Sequence, residues 1–288
     1  MDIKKAALLG LGMAATAVPV MGYALSLPLR IRYEKAIFKE LPSHLRNLKI
    51  LHITDLHGRN PHKMHQNIWP AILNLAFDMA VITGDVILDD ISQLYPHLKG
   101  LKALVKKAPV FYVDGNHEDM FTCEMAQLFE SIGVIVLYNR RGDFAVGSGN
   151  KSSVVSVAGF RDYYYLSKRR FKDVPPLLSN IVARGGFHII LTHQPQIFDL
   201  LCKGAANGSF SALVLAGHTH GGQVRLPFFP TLFAPGQGIL PRYGDGWYQG
   251  AGGRLKLFVS RGVGGTHFHV RLFNPSEVAV IQLVRGGD

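Results

Sequence analysis

The chain reads as an α/β fold, with layered sheets and helices packed outside them. Three observations predict this: short apolar runs along the whole chain, amphipathic helical stretches between the early runs, and a polar turn just past several of the runs. The apolar runs cover residues 48–54, 79–83, 110–113, 134–137, 154–158, 187–192, 213–216, 255–260 and 278–283. Each is four to seven residues long and most stop at Gly, Asp or His, as buried strands do. A helical pattern over 64–75 contains Pro70, which predicts a kink or a late start. The 91–107 stretch places Leu94, Leu98, Leu101, Leu104 and Val105 close to a 3.6-residue period and ends on Lys106-Lys107, which suits a helix dipole. A third helix over 122–132 is stopped by Gly133. Helices between the early strands, followed by strand-rich sequence, argue for α/β layers.

The composition supports a packed core. The 288 residues are 48% hydrophobic and 18% charged, which excludes a disordered or low-complexity chain. Two cysteines, Cys123 and Cys202, exclude a disulfide scaffold and a thiolate metal cluster. Lys and Arg number 31 against 20 Asp and Glu, giving a formal charge of +11. Such a surface suits nucleic acid or anionic lipid. The sequence carries no zinc finger, RNP-type aromatic motif or helix-turn-helix, so nucleic acid is set aside, and no protein partner is predicted.

The N-terminus predicts a membrane connection. Residues 6–29 are 24 consecutive uncharged positions, preceded by Lys4 and Lys5 and followed by Arg30 and Arg32. Roughly 20 apolar residues span a bilayer core, so residues 1–29 are read as a hydrophobic anchor or interfacial segment. A cleaved signal peptide with Ala15-Thr16-Ala17 at its small-residue site is the alternative. Residues 30–288 form the single remaining domain. Flanking charge weakly favours an inner-membrane protein whose domain faces the cytoplasm.

The polar turns carry the chemistry. Strand ends in α/β folds bind ligands, and here five of them bear Asp55-Leu56-His57, Gly84-Asp85, Gly115-Asn116-His117-Glu118, His193 and Gly217-His218-Thr219-His220. Mixed oxygen and nitrogen donors without thiolate suit divalent ions such as Mn²⁺, Fe²⁺, Zn²⁺ or Mg²⁺. Each block alone is weak; five in order, each behind an apolar run, predict a metal centre.

These blocks resemble the calcineurin-like metallophosphoesterases, and the resemblance runs from Leu48 to the C-terminus. It implies a four-layer fold, a β-sandwich flanked by helices, and two divalent metal ions, with Mn²⁺ the first expectation. Asp55, His57, Asp85 and His220 would hold one ion, and Asp85, Asn116, His193 and His218 the other, with Asp85 bridging. The residues after Gly84-Asp85 do not match the protein Ser/Thr phosphatase pattern. Gly221-Gly222-Gln223, Pro227-Phe228-Phe229-Pro230 and Arg261-Gly262-Val263-Gly264 resemble instead a bacterial membrane-associated branch. That branch includes enzymes of lipid A synthesis that hydrolyse UDP-2,3-diacylglucosamine.

The implied activity is hydrolysis of a phosphodiester or pyrophosphate by a metal-bridged hydroxide. His117, the one histidine of the blocks that is not a ligand, is the expected catalytic residue, donating to the phosphoryl oxygen or the leaving group. The favoured role of Glu118 is the start of the next helix, with orientation of an imidazole as the alternative. Arg59, Arg161 and Arg261 are candidate substrate cations. The aromatic stretch at 227–233 is read either as a buried loop or as a groove for acyl chains. With the leader and the charge, it favours an anionic, lipid-linked substrate at a membrane surface. A broad phosphodiesterase for soluble substrates and a non-catalytic metal-binding scaffold are the alternatives.

Overall fold

The computed structural model describes residues 29–58, 68–147, 153–162, 174–206, 210–222, 231–265, 271 and 273–287. In chain order, β1 (Arg30–Phe38) and β2 (Lys49–Ile53) lead to α1 (Ile68–Leu73), β3 (Met79–Thr83), α2 (Tyr95–Lys107), β4 (Val110–Val113), α3 (Thr122–Ser131) and β5 (Ile135–Val136). β6 (Arg140–Val146) and β7 (Ser153–Gly159) precede α4 (Val174–Arg184), β8 (Gly186–Leu191), α5 (Phe198–Ala206) and β9 (Phe210–Ala216). A hairpin of β10 (Phe233–Ala234) and β11 (Gly238–Ile239) is followed by β12 (Gly246–Gly250), β13 (Leu255–Val259) and β14 (Glu277–Arg285).

Two six-stranded sheets form, in the orders β1-β14-β2-β3-β4-β5 and β12-β13-β9-β8-β7-β6. Within the first, β2, β3, β4 and β5 run parallel; within the second, β7, β8, β9 and β13 do. Strand alternation splits the apolar residues into three layers. Ile50, Met79, Val81 and Phe111 of the first sheet meet Ile189, Leu191, Leu213 and Phe258 of the second. The opposite face of the first sheet packs Ile53, Ile82 and Tyr112 against Trp69, Leu101 and Phe129 of the helices. The outer face of the second packs Ile190, Val214 and Leu257 against Ile181, Phe198 and Leu201. The result is the expected four-layer helix–sheet–sheet–helix sandwich.

The elements differ from expectation in two respects. β1, β6 and β12 are edge strands, and alternating charged residues such as Arg30, Arg32, Glu34 and Lys35 hide β1 from a search for apolar runs. The strand-rich second half also contains α4 and α5, which bury only a narrow stripe on the outer sheet face. The described part of α1, Ile68–Leu73, contains Pro70, and the start of the 64–75 helical pattern lies outside the described residues.

The membrane expectation is corrected here. Among the described residues no helix is long and apolar enough to cross a bilayer. The longest of them, α2, has 13 residues, roughly 20 Å against a hydrocarbon core of about 30 Å. This overturns placement of the chain as an inner-membrane protein; residues 1–28, on which that placement rested, lie outside the described residues.

Candidate metal centre

Each motif begins where a parallel strand leaves its sheet. β2, β3 and β4 of one sheet end at Asp55-Leu56-His57, Gly84-Asp85 and Gly115-Asn116-His117, and β8 and β9 of the other end at His193 and His218-Thr219-His220. The backbone must turn sharply there for the side chains to reach one point. Asp55, His57, Asp85, His218 and His220 accordingly adopt left-handed conformations, with φ of 53°, 50°, 52°, 71° and 49°. Such conformations cost of order 1–3 kcal/mol each and persist where surrounding structure fixes them. Here Asp55 N–H donates to Gly84 O (3.0 Å), His57 N–H to Asp85 O (2.9 Å) and Gly217 N–H to His193 O (3.1 Å). His218 N–H donates to the Asp55 carboxylate at 3.2 Å, tying the two sheets' turns together. Gly115 and Gly217 permit this approach: a Cβ on Gly115 would land on the Asp85 carboxylate, and one on Gly217 on Thr54 and Asp55.

Two donor groups share Asp85: Asp55, His57, Asp85 and His220 in one, and Asp85, His193 and His218 in the other, with ligand atoms within 4.8 Å of each other in each group. In the first, His57 Nε2 lies 3.1 Å from His220 Nε2 and 3.7 Å from Asp85 Oδ2, and His220 Nε2 lies 3.4 Å from Asp55 Oδ1. In the second, His193 Nε2 lies 3.1 Å from both Asp85 Oδ2 and His218 Nδ1. His193 Nδ1–H donates to Thr83 O at 2.8 Å, which leaves Nε2 as the donor atom facing the cluster. Asn116 follows Gly115, and its buried Oδ1 has no hydrogen-bond partner, as does the buried Nδ1 of His57.

The electrostatics fit cations. Burial lowers His57 and His218 to about 3 and takes His220 well down, so these imidazoles are neutral, the form that ligates metal. Burial pushes the Asp55 carboxyl up to about 6 despite the nearby His193. Burial would also raise Asp85, but the His193 charge and hydrogen bond hold it well below the usual carboxylate range. His193 is correspondingly held above its ordinary value by Asp85, against burial. A buried carboxylate cluster, an orphaned amide oxygen and convergent nitrogen donors together suit a pair of divalent ions.

Two residues of the third block do not act as ligands. His117 Nδ1–H donates to Leu88 O at 2.6 Å, which turns Nε2 inward to 3.9 Å from Asp85 Oδ2. Its ring meets His57 edge-on at 5.0 Å, and it is half-buried at the mouth of the cluster. Glu118 does stand at the start of a short 3-10 turn, Asp119–Phe121, with its carbonyl accepting from Phe121 N–H at 2.8 Å, but its side chain makes no cap there. Its carboxylate accepts from the backbone N–H groups of Asp85, Val86, Ile87 and Gly115 at 2.6–3.0 Å. Burial and the Asp85 charge push its carboxyl up to about 8 against the pull of these donors.

Of the three candidate cations, Arg59 lies outside the described residues. Arg161 is engaged by Asp114 (2.7 Å), Asp119 and Thr122, and Arg261 by Asp245 (2.9 and 3.0 Å). The sequence reading missed Arg271. Buried against the cluster, it donates from Nε to Gly264 O (2.8 Å) and from Nη2 to Arg261 O (2.7 Å), with Nη2 3.3 Å from His220 Nδ1. Burial lowers it to about 10. No motif marks it, and its neighbours 266–270 lie outside the described residues. The hairpin packs beside the turn that carries His220, with Thr231 Oγ1 donating to Gly221 O and Phe233 O close against Gly222. The 227–230 part of the aromatic stretch lies outside the described residues.

Comparison with known proteins agrees with this geometry. Residues 48–222 match the family profile of the calcineurin-like phosphoesterases. An uncharacterized metallophosphoesterase of Campylobacter jejuni, Cj0846, is 29% identical over 259 residues, covering 86% of this chain and 62% of the relative. The chain thus spans about three fifths of that protein's length. Phosphodiesterase YaeI of Escherichia coli is 27% identical over 261 residues, covering 88% and 87% of the two chains. The uncharacterized metallophosphoesterase YkuE of Bacillus subtilis is 29% identical over 212 residues, covering 72% and 68%. The five strand-end blocks, the two donor groups sharing Asp85 and the profile match lead to one assignment: this chain belongs to the calcineurin-like phosphoesterase family.

Proposed function

We propose that the protein is a phosphodiesterase that works with two divalent cations, Mn²⁺ first among them. The observation that carries this reading is the pair of buried donor groups meeting at Asp85. Asp55, His57, Asp85 and His220 would hold one ion, and Asp85, Asn116, His193 and His218 the other. Bound there, such ions supply Lewis acidity and a water of lowered pKa. The chain's own residues supply the rest. Asp85 joins the two halves of the site, and His193, fixed through Thr83 O, presents Nε2 inward. His117, anchored through Nδ1 on Leu88 O, turns Nε2 toward the cluster, where it would carry a proton to the departing ester oxygen. The basic surface favours anionic substrates, and the similarity to phosphodiesterase YaeI supports a diester over a monoester. The UDP-2,3-diacylglucosamine expectation came from the branch resemblance at Gly221–Gln223, Pro227–Pro230 and Arg261–Gly264, and the relatives' names carry the reading only as far as a phosphodiester.

The test supplies purified protein with Mn²⁺, Zn²⁺, Mg²⁺ or Fe²⁺ in turn and follows cleavage of bis-p-nitrophenyl phosphate. Metal-dependent turnover that chelator removes and Asp85→Asn abolishes is expected. Bound metal without turnover of diesters or pyrophosphates would favour the binding scaffold.

A further inference from the structure

The β10–β11 hairpin presents a patch of apolar surface beside the metal centre. Phe233 and Ile239 are directly paired across it, so their side chains project to one face. They are 54% and 81% exposed, and the following Leu240 is 67% exposed. The inward-facing Ala234 is fully buried, and the Phe233 carbonyl lies where a Cβ on Gly222 would fall, two residues after the metal-ligand candidate His220. Thr231, at the base of the hairpin, lies against Gly221 and Gly222 directly after His220. Phe273, 42% exposed, precedes Asn274, whose Nδ2–H donates to His220 O at 2.5 Å. Four of the nine large exposed hydrophobics among the described residues therefore sit on two segments anchored to the His218–His220 turn; the other five are scattered over β1, α2, β7 and the turn before α3.

Exposed aromatic and branched side chains are costly in water and gain by contact with an apolar partner. A substrate phosphate held at the cations would carry one ester substituent toward the hairpin. We propose that Phe233 and Ile239, flanked by Leu240 and Phe273, form the wall that receives an apolar substituent of the phosphodiester substrate. This selects alkyl or aryl diesters over small polar ones, and it rests on the phosphodiesterase reading above. The occupant is the substrate's own apolar group, because the hairpin base and Asn274, which carry the patch, are both anchored to the turn that would hold the reacting phosphate.

Methyl and octyl p-nitrophenyl phosphate share a leaving group and differ only in the other substituent. With metal-loaded protein and octyl ester below its micellar concentration, kcat/KM is expected to favour octyl by at least about tenfold, equivalent to about 1.4 kcal/mol and less than two buried methylenes. Ile239→Ser, at a position too exposed to endanger folding, and Phe233→Ser/Ile239→Ser should shrink that ratio stepwise toward one. Equal rates for the two esters in the unaltered protein would overturn the proposal, and so would a preference untouched in both variants. A dimer in sedimentation that Ile239→Ser dissociates would assign the patch to a second copy and overturn it too. Calorimetric binding of octyl phosphate against methyl phosphate reads the same preference without turnover. Tighter octyl binding with neither ester cleaved would sink the phosphodiesterase reading and leave the wall standing, whereas equal binding would sink the wall.

Discussion

His117 sits between two anchors, a carbonyl behind it and the Asp85 carboxylate in front. Under the proposed function, a side chain outside both donor groups that faces the cluster would act on the reaction and not on metal retention. His117→Ala is therefore expected to lower turnover about 10²–10⁴-fold by general acid–base precedent, with metal content unchanged by elemental analysis; loss of metal with the rate intact would refute the role. The ligand candidates were legible because strand-end chemistry shows in a one-dimensional string: an apolar run, a glycine, then Asp or His. Glu118 and Arg271 were not legible in that way. Glu118 reaches back about thirty residues to the amides after Gly84, and Arg271 meets His220 across about fifty. Neither spacing has a local signature.

Among the elements, the turn after β4 is the tightest link between the third block and Asp85. Gly115→Ala would drive a methyl group into the Asp85 carboxylate, an overpacking that costs about 1–3 kcal/mol and displaces the residue shared by both donor groups. The expected outcome is a lowered melting temperature together with loss of both metal equivalents. A variant that melts lower but still binds two equivalents would show that the turn yields elsewhere. Central strands were legible and edges were not, for one physical reason. β3 and β4 are buried on both faces and read as continuous apolar runs, whereas β1 and β6 bury one face at most and must carry charge on the other. Helices α4 and α5 escaped notice because leucine and isoleucine spaced for a helix look like strand residues when the stretch is only two or three turns long.

Across the whole molecule, the hydrophobic layers hold three imidazoles away from the metal centre. His52 hydrogen-bonds Thr83 Oγ1 within the sandwich (2.8 Å), His97 Nδ1 accepts from the Trp69 indole N–H between α1 and α2 (3.3 Å), and His188 pairs with Ser156 Oγ on the second sheet (2.8 Å). Burial lowers them to about 3, 4 and 4. The unfolded chain takes up these protons near pH 6.5 and the folded chain does not, so their contribution is complete above about 6.5 and drains away toward pH 3–4. Denaturant midpoints of chelator-treated protein at pH 7.5 and 4.5 should fall with acidity, and His97→Gln should flatten that fall; an unchanged slope would mean the ring is already protonated in its niche. A last consequence comes from the origin of the ligands, three turns of one sheet and two of the other. A bound ion pair would clasp the mouth of the sandwich as a rivet joins two plates, so neither sheet could open without surrendering its cargo. At a free metal level 100 times the dissociation constant, each site would add about 2.7 kcal/mol. A melting temperature that climbs with metal, and unfolding that releases both ions in one step, would show the two plates parting together.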